Sequence, residues 1–312
     1  MATEQQEGSV LARIAIAMAA SAVMVTGALS WDGARSNHLR PEGSSDISLT
    51  ATILHGVGTI DLGGPVESTL DVGVLTPSFH HTFDAFGNVG TVLIGMPVGN
   101  VSFEAGPFDV DTGIAQGDMF IGGSFGLLGM PSLSPQEYFQ YKPTGLQASV
   151  EAKLFLPTGD YDPDRIVSLG QNRWSLAASL PITYVLGDTM LDPNLMTFEI
   201  RPGVLIFGDN DEPFGGADTM SQAPIFGVEG HITRNFGNSL WAAIDGYYEI
   251  GGETSYDGFA QDDELETLAF GATLGVVFSP SFAMRLSYRE LVYSNVPDSS
   301  GRTFEVVSAF LF

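Results

Sequence analysis

From about residue 47 to Phe312, apolar and polar residues alternate one by one in segments of ten to fifteen residues. Each segment is bounded by clusters of Gly, Pro, Asp, Asn or Ser, the signature of strands separated by turns. Successive side chains on a strand point to opposite faces, so each segment presents one apolar and one polar face. In residues 239–250, Leu240, Ala242, Ile244, Gly246, Tyr248 and Ile250 oppose Trp241, Ala243, Asp245, Tyr247 and Glu249. In residues 146–156, Leu146, Ala148, Val150, Ala152, Leu154 and Leu156 oppose Gln147, Ser149, Glu151, Lys153 and Phe155. Helical periodicity is weak throughout. The pattern predicts twelve strands, at roughly 47–57, 68–82, 87–98, 117–131, 145–157, 173–186, 196–207, 225–234, 239–251, 265–278, 282–293 and 303–312.

A soluble β-sandwich also alternates, so the connections carry the argument further. If the last strand ends at the periplasm, the connections sort into two rims. One holds FDAFG, GDTMLDPNL, NFGN and SPS, mostly short, with SLSPQEYFQYKPT the longer exception. The other holds residues 58–67, 99–116, 158–172, 208–222, 252–264 and 294–302. These six carry about half of the chain's 37 acidic residues but, of its 12 basic residues, only Arg165 and Arg302. Long loops on one rim and short turns on the other describe a transmembrane barrel of the outer-membrane type. The expected fold is therefore all-β, an antiparallel barrel of about twelve strands. Strands in lipid must close on themselves, because an open edge would leave backbone groups unsatisfied. Phe304, Val306, Ser308, Phe310 and Phe312 share one face of the last strand, and an aromatic terminus such as Phe312 is the expected signal to the barrel-assembly machinery.

Composition supports this reading and excludes others. Charged residues make up 16% of the chain, against about 25% in an average soluble domain. A net charge of −25 opposes nucleic-acid binding, which requires clustered cations. The absence of cysteine excludes disulfides, thiolate metal sites and a Cys nucleophile. At the N-terminus, Arg13 precedes a small-residue apolar run from Ile14 to Ser30 with an Ala28-Leu29-Ser30 cleavage pattern. That run predicts a signal peptide over 1–30, with an anchor helix as the other reading, although it is short for a helix that needs about 20 residues to span a bilayer. A periplasmic segment over 31–46 and the barrel over 47–312 follow, in the outer membrane of a Gram-negative bacterium.

Charges on the polar faces are the candidate functional residues: Glu151 and Lys153, Glu199 and Arg201, Glu229 and His231, Asp245 and Glu249, Arg285 and Arg289. An Arg or Lys facing lipid at mid-depth costs about 2–4 kcal/mol, so these side chains are expected to line the interior. Either they pair and fill a narrow barrel, or some of them, Arg285 and Arg289 above all, attract anions such as aromatic carboxylates. Asp160, Asp162 and Asp164 in LPTGDYDPDRIVSLGQNRWS read as a solvated external loop or a calcium site, though the glycine and terminal glutamate of an EF-hand loop are missing. Gly122-Gly123-Ser124-Phe125-Gly126 matches a nucleophile elbow, but no helix follows to make the turn. His80-His81 reads as a wet rim or a metal pair. Asp209, Asp211, Glu212, Asp218, Asp262, Asp263 and Glu264 read as solvated charge, or as bridges through divalent cations to lipopolysaccharide phosphate. No catalytic residue, metal or cofactor is assigned.

The alternating strand that ends in Pro157-Thr158-Gly159-Asp160, followed by Gly170, Asn172 and Trp174, resembles the transporter family associated with the meta-pathway of phenol degradation. The segment Asn37 to Gly43 is a looser match to the family's N-terminal segment. The resemblance implies a bacterial outer-membrane barrel that passes small, often aromatic or hydrophobic compounds, and it offers no catalytic residues to carry over. The expected function is a channel or transporter for such solutes. A structural or adhesive barrel with a plugged lumen is the alternative, and a lipid hydrolase the third. Expected partners are outer-membrane lipid and lipopolysaccharide, the assembly machinery and the solute.

Overall fold

The computed structural model describes residues 32–61, 64–143 and 145–312; the expected signal peptide lies outside them. Among the described residues, twelve strands form the barrel. They are β1 Ser45–Asp61, β2 Pro65–Ala85, β3 Asn88–Gly95 continued by Val98–Ala105, and β4 Phe120–Leu128. Next come β5 Leu146–Phe155, β6 Ser175–Ser179 continued by Ile182–Leu186, β7 Met196–Phe207 and β8 Ile225–Asn235. The last four are β9 Leu240–Gly251, β10 Leu265–Ser279, β11 Phe282–Ser294 and β12 Ser300–Leu311. Every strand is antiparallel to its neighbour. The barrel closes where β1 pairs with β12, from Asp46↔Leu311 to Val57↔Ser300, while its other edge pairs with β2. At the foot of this seam Ser45 and Phe312 exchange backbone hydrogen bonds of 3.0 and 2.9 Å.

The strands correspond one to one with those predicted, and the boundary differences have local causes. β3 and β6 are interrupted at Pro97 and Pro181, which have no N–H to give to a ladder. β1 and β2 run longer than predicted and stand above the rim, where Val98–Ala105 and the short strand Phe108–Asp111 extend their sheet. Part of the expected 99–116 loop is thus strand. Val101 and Phe103 face inward there and pack with Leu54, Leu70 and Val72, so the same alternation continues past the membrane. β4 is shorter than the predicted 117–131, with a register shift between Gly126 and Leu128 before the chain turns at the periplasmic rim.

The two faces are inverted relative to a soluble protein. Ile53, Ile244, Phe270 and Leu286 stand 50–69% exposed on the outside. An apolar band of this extent requires lipid or a partner to cover it. Inside, Gln147, Ser149, Thr197, Thr233, Glu229 and Asp245 are all buried. At the periplasmic rim Phe278, Phe282 and Phe310 stack with centroids 5.4 and 4.8 Å apart. At the opposite rim the hydroxyls of Tyr248 and Tyr293 donate to Glu266. Aromatic girdles of this kind mark the two interfaces of a membrane barrel.

Replacing Ile244 with Lys is expected to destabilise the barrel by about 2–4 kcal/mol, measured by equilibrium unfolding in phospholipid vesicles. An equally stable Ile244→Lys barrel would contradict a lipid-facing position.

Candidate functional site

Alternation delivers the charged side chains to the lumen, and register sets them opposite one another. Arg201 on β7 faces Glu229 on β8, and His231 on β8 faces Asp245 on β9. Directly opposed unlike charges stabilise a strand pair. The Arg201 guanidinium donates to Glu229 at 2.9 Å and to Glu151 at 3.1 Å. Lys153 lies 3.1 Å from Glu151. His231 Nδ1 is 2.6 Å from Asp245, whose second oxygen accepts from Thr273 at 2.7 Å. Glu249 lies on the same inward face of β9 and is buried. A continuous polar wall thus runs across β5, β7, β8 and β9.

Within the expected periplasmic segment, 31–46, residues 32–38 form a strap that binds this wall. Asp32 accepts from Lys153 at 2.6 and 2.7 Å and lies 3.0 Å from Arg201. Burial raises the Asp32 carboxyl, but Lys153 and Arg201 outweigh it and hold the group well below the usual carboxylate range. Arg35 donates its backbone N–H to Glu199 at 2.9 Å and its side chain to Thr233 and Asn235 at 2.9 and 2.6 Å. Its guanidinium stacks over Trp241 at 4.5 Å. Burial pushes Arg35 down to about 10 and Glu199 pushes it back up, so it stays charged at neutral pH. His38 meets the other Glu199 oxygen at 2.9 Å. Arg285 donates to the Ala34 carbonyl and to Glu305, both at 3.0 Å. At the foot, Arg40 and His80 share the buried carboxylate of Asp46. The reason is electrostatic: a wall of buried charge is tolerated only when paired and hydrogen-bonded, and this strap adds partners for Lys153, Glu199 and Arg201.

The strap occupies one side of the lumen. Against the other side, formed by β1 to β4 with β11 and β12, an open cavity of about 490 Å³ remains. Thr50, Thr52, Thr76, Thr91 and Ser124 face it, interspersed with Val74, Leu93 and Val307. Among the described residues these five hydroxyls make no side-chain hydrogen bond. Apolar clusters flank the cavity at its two ends. Leu54, Val72, Val101 and Phe103 pack with Val167 and Leu169 at the outer end, and Leu39, Val89 and Met130 pack together at the inner end.

Val167 and Leu169 belong to the loop between β5 and β6, which carries the sequence motif. Its anchor is Asp118, a residue that sequence reasoning did not single out. Asp118 accepts three backbone N–H groups, from Thr158 at 3.1 Å, Gly159 at 2.9 Å and Gln171 at 2.9 Å. Burial pushes its carboxyl up, and these three bonds and nearby Arg173 pull it back. Gly159 and Gly170 meet backbone to backbone, and a Cβ on either would lie 2.6–2.7 Å from the other. Asp160 accepts from the Gln116 N–H, and Asn172 donates to Asn210. Pro157 follows the end of β5, and Trp174, outside and half exposed, begins the descent into β6. Arg173, which burial pushes down to about 10, stacks on Phe207 and donates to Gln222.

The other sequence candidates fall apart in space. Asp160 is bound to the backbone, Asp162 pairs with Arg165 at 3.0 Å, and Asp164 points to solvent, so the three do not converge. No group of three or more His, Asp or Glu among the described residues is arranged to hold a metal ion. His80 and His81 face opposite sides of β2, towards Asp46 and Ser45 respectively. Ser124 sits mid-strand with Thr91 opposite. Asp32 and Arg35 were missed because nothing in their neighbourhood of the sequence signals the distant partners they meet.

Residues 44–304 match the family described as "Putative MetA-pathway of phenol degradation". No curated protein matches the chain. Among solved structures, an outer membrane channel from Pseudomonas putida F1 is similar over 90% of this chain and 99% of its own, at 18% identity and a TM-score of 0.75. The translocator domain of the autotransporter NalP from Neisseria meningitidis is similar over 94% of this chain and 97% of its own, at 11% identity and a TM-score of 0.51. At these identities the likeness is one of fold.

Asp118→Asn places an amide N–H against the Gln171 N–H. The variant is expected to lose about 1–3 kcal/mol of stability and to expose the 156–174 loop to protease, whereas Asp164→Asn leaves both unchanged. Limited proteolysis of the two variants in detergent checks this.

Proposed function

Because this chain belongs to the phenol-degradation MetA-pathway family, we propose that it is a conduit for small, largely apolar or aromatic solutes across the outer membrane. The observation that carries the reading is the cavity of about 490 Å³ beside the strap. That is the size of pocket that holds a small organic molecule, and its mixture of hydroxyls and apolar side chains suits a ring bearing one or two polar groups. Its apolar ends oppose a hydrated ion more than an apolar solute, because a charge at such a constriction must give up its water. We assign the chain no catalytic step. Its apolar band seats in outer-membrane lipid beneath lipopolysaccharide. The charge network that moors the strap favours one alternative, a structural barrel whose lumen stays plugged.

The strap separates the two. With the strap docked, the wild type is expected to conduct ions poorly in a planar bilayer while passing phenol or benzamide into vesicles. Deleting residues 32–43 is expected to raise conductance severalfold. A heat-modifiable deletion variant as silent as the wild type, with no solute flux through either, would favour the structural barrel.

A pH dependence follows from Asp32. Its carboxyl titrates below the ordinary value of about 3.9, so its contribution to docking is complete above that value and is lost as pH falls further. Conductance is therefore expected to be flat from neutral pH to about 4 and to rise below it, and Asp32→Asn to raise conductance already at neutral pH.

A further inference from the structure

Arg289 on β11 is a cation that the lumen network does not use. It lies between Gly271 of β10 and Thr303 of β12, facing the open cavity rather than the strap. Gly271 permits this: a Cβ there would come within 2.4 Å of the Tyr288 carbonyl and 3.1 Å of the Arg289 Cβ. The guanidinium crosses the vacant position and lies over the Tyr247 ring at 5.2 Å. Stacking occupies one face of the guanidinium and leaves its in-plane N–H donors available.

Arg289 forms no ion pair among the described residues. The nearby carboxylates are engaged elsewhere: Asp245 by His231 and Thr273, Glu229 by Arg201, and Glu305 by Arg285 at 3.0 Å. Arg285, four residues before it on the same face, is committed to Glu305 and to the Ala34 carbonyl of the strap. The two arginines that the sequence pairs therefore have different employment. On the cavity side, Thr50 and Thr52 offer hydroxyls while Val74 and Val307 offer apolar surface.

Resting on the conduit reading above, we propose that Arg289 is the anion-binding residue of the cavity, and that the solute class it selects is a small monocarboxylate on an apolar body. The carboxylate accepts two parallel N–H bonds from the guanidinium, the geometry that an arginine fork matches. The apolar body lies in the cavity that Arg289 lines. Passage then runs from the outer cluster at Leu169, past this subsite, to the inner cluster at Leu39.

The test is calorimetric titration of the detergent-purified full chain with benzoate, and with benzamide as the uncharged isostere, for the wild type, Arg289→Gln and Arg289→Lys. The wild type is expected to bind benzoate more tightly than benzamide. Arg289→Gln should weaken benzoate about tenfold or more and leave benzamide unchanged, while Arg289→Lys recovers part of the loss. Equal benzoate affinity in the wild type and Arg289→Gln overturns the proposal, as does a parallel fall for both ligands. Wild-type protein that binds benzoate no better than benzamide overturns it without recourse to a variant. Vesicle flux of benzamide distinguishes the two levels: flux with Arg289-independent benzoate binding sinks this inference alone, whereas Arg289-dependent binding with no flux of either solute sinks the conduit reading and leaves the subsite standing.

Discussion

A backbone N–H or C=O that crosses hydrocarbon must find its partner within the protein, and every other feature of this molecule depends on that constraint. It forces the strands to close, and closure is made by the ladder between β1 and β12. Closure in turn divides all side chains into those that meet lipid and those that meet the lumen, with no third option along a strand. The polar half of the sequence is therefore driven inside, where Glu151, Lys153, Arg201, Glu229, His231 and Asp245 lie almost without access to solvent.

That inversion creates a second problem. Isolated buried charge is costly, and a pair is tolerable only if its geometry is good and its remaining hydrogen-bonding capacity is met. Cross-strand register solves part of this by setting Arg201 against Glu229 and His231 against Asp245. The strap solves more: Asp32 joins Lys153 to Arg201, while Arg35 and His38 meet Glu199. The same contacts bind the strap to one wall and leave the other free, so charge pairing and cavity shape share one cause.

The outer end of the cavity rests on a different interaction. Asp118 gathers three amides of the loop after β5, and the approach of Gly159 to Gly170 folds that loop tightly enough to present Val167 and Leu169 to the apolar cluster of β1, β2 and β3. The motif at 157–174 is therefore architectural in its contacts: its polar groups bind backbone or neighbouring loop side chains such as Asn210 and Gln222, and its apolar residues pack at the outer end of the cavity. Asp118 supplies what the motif lacks when read alone, a buried acceptor from the preceding strand connection.

The sequence by itself determined the twelve strands, the face each side chain takes and the rim on which each loop lies, because alternation and turn chemistry are local and survive without knowledge of neighbours. It missed where a strand outruns the bilayer, where a proline interrupts it, as at Pro97 and Pro181, and where β4 ends early at the register shift between Gly126 and Leu128. Tertiary structure alone decided which charges meet. Lys153 reaches Asp32 across 121 positions of chain, and Arg285 reaches the Ala34 carbonyl across 251. No local pattern encodes such pairings, since they depend on where closure brings distant strands and on the path of a segment without regular alternation. For the same reason Arg285 and Arg289, alike in sequence, part company in space: the strap passes beside one and leaves the other facing the cavity.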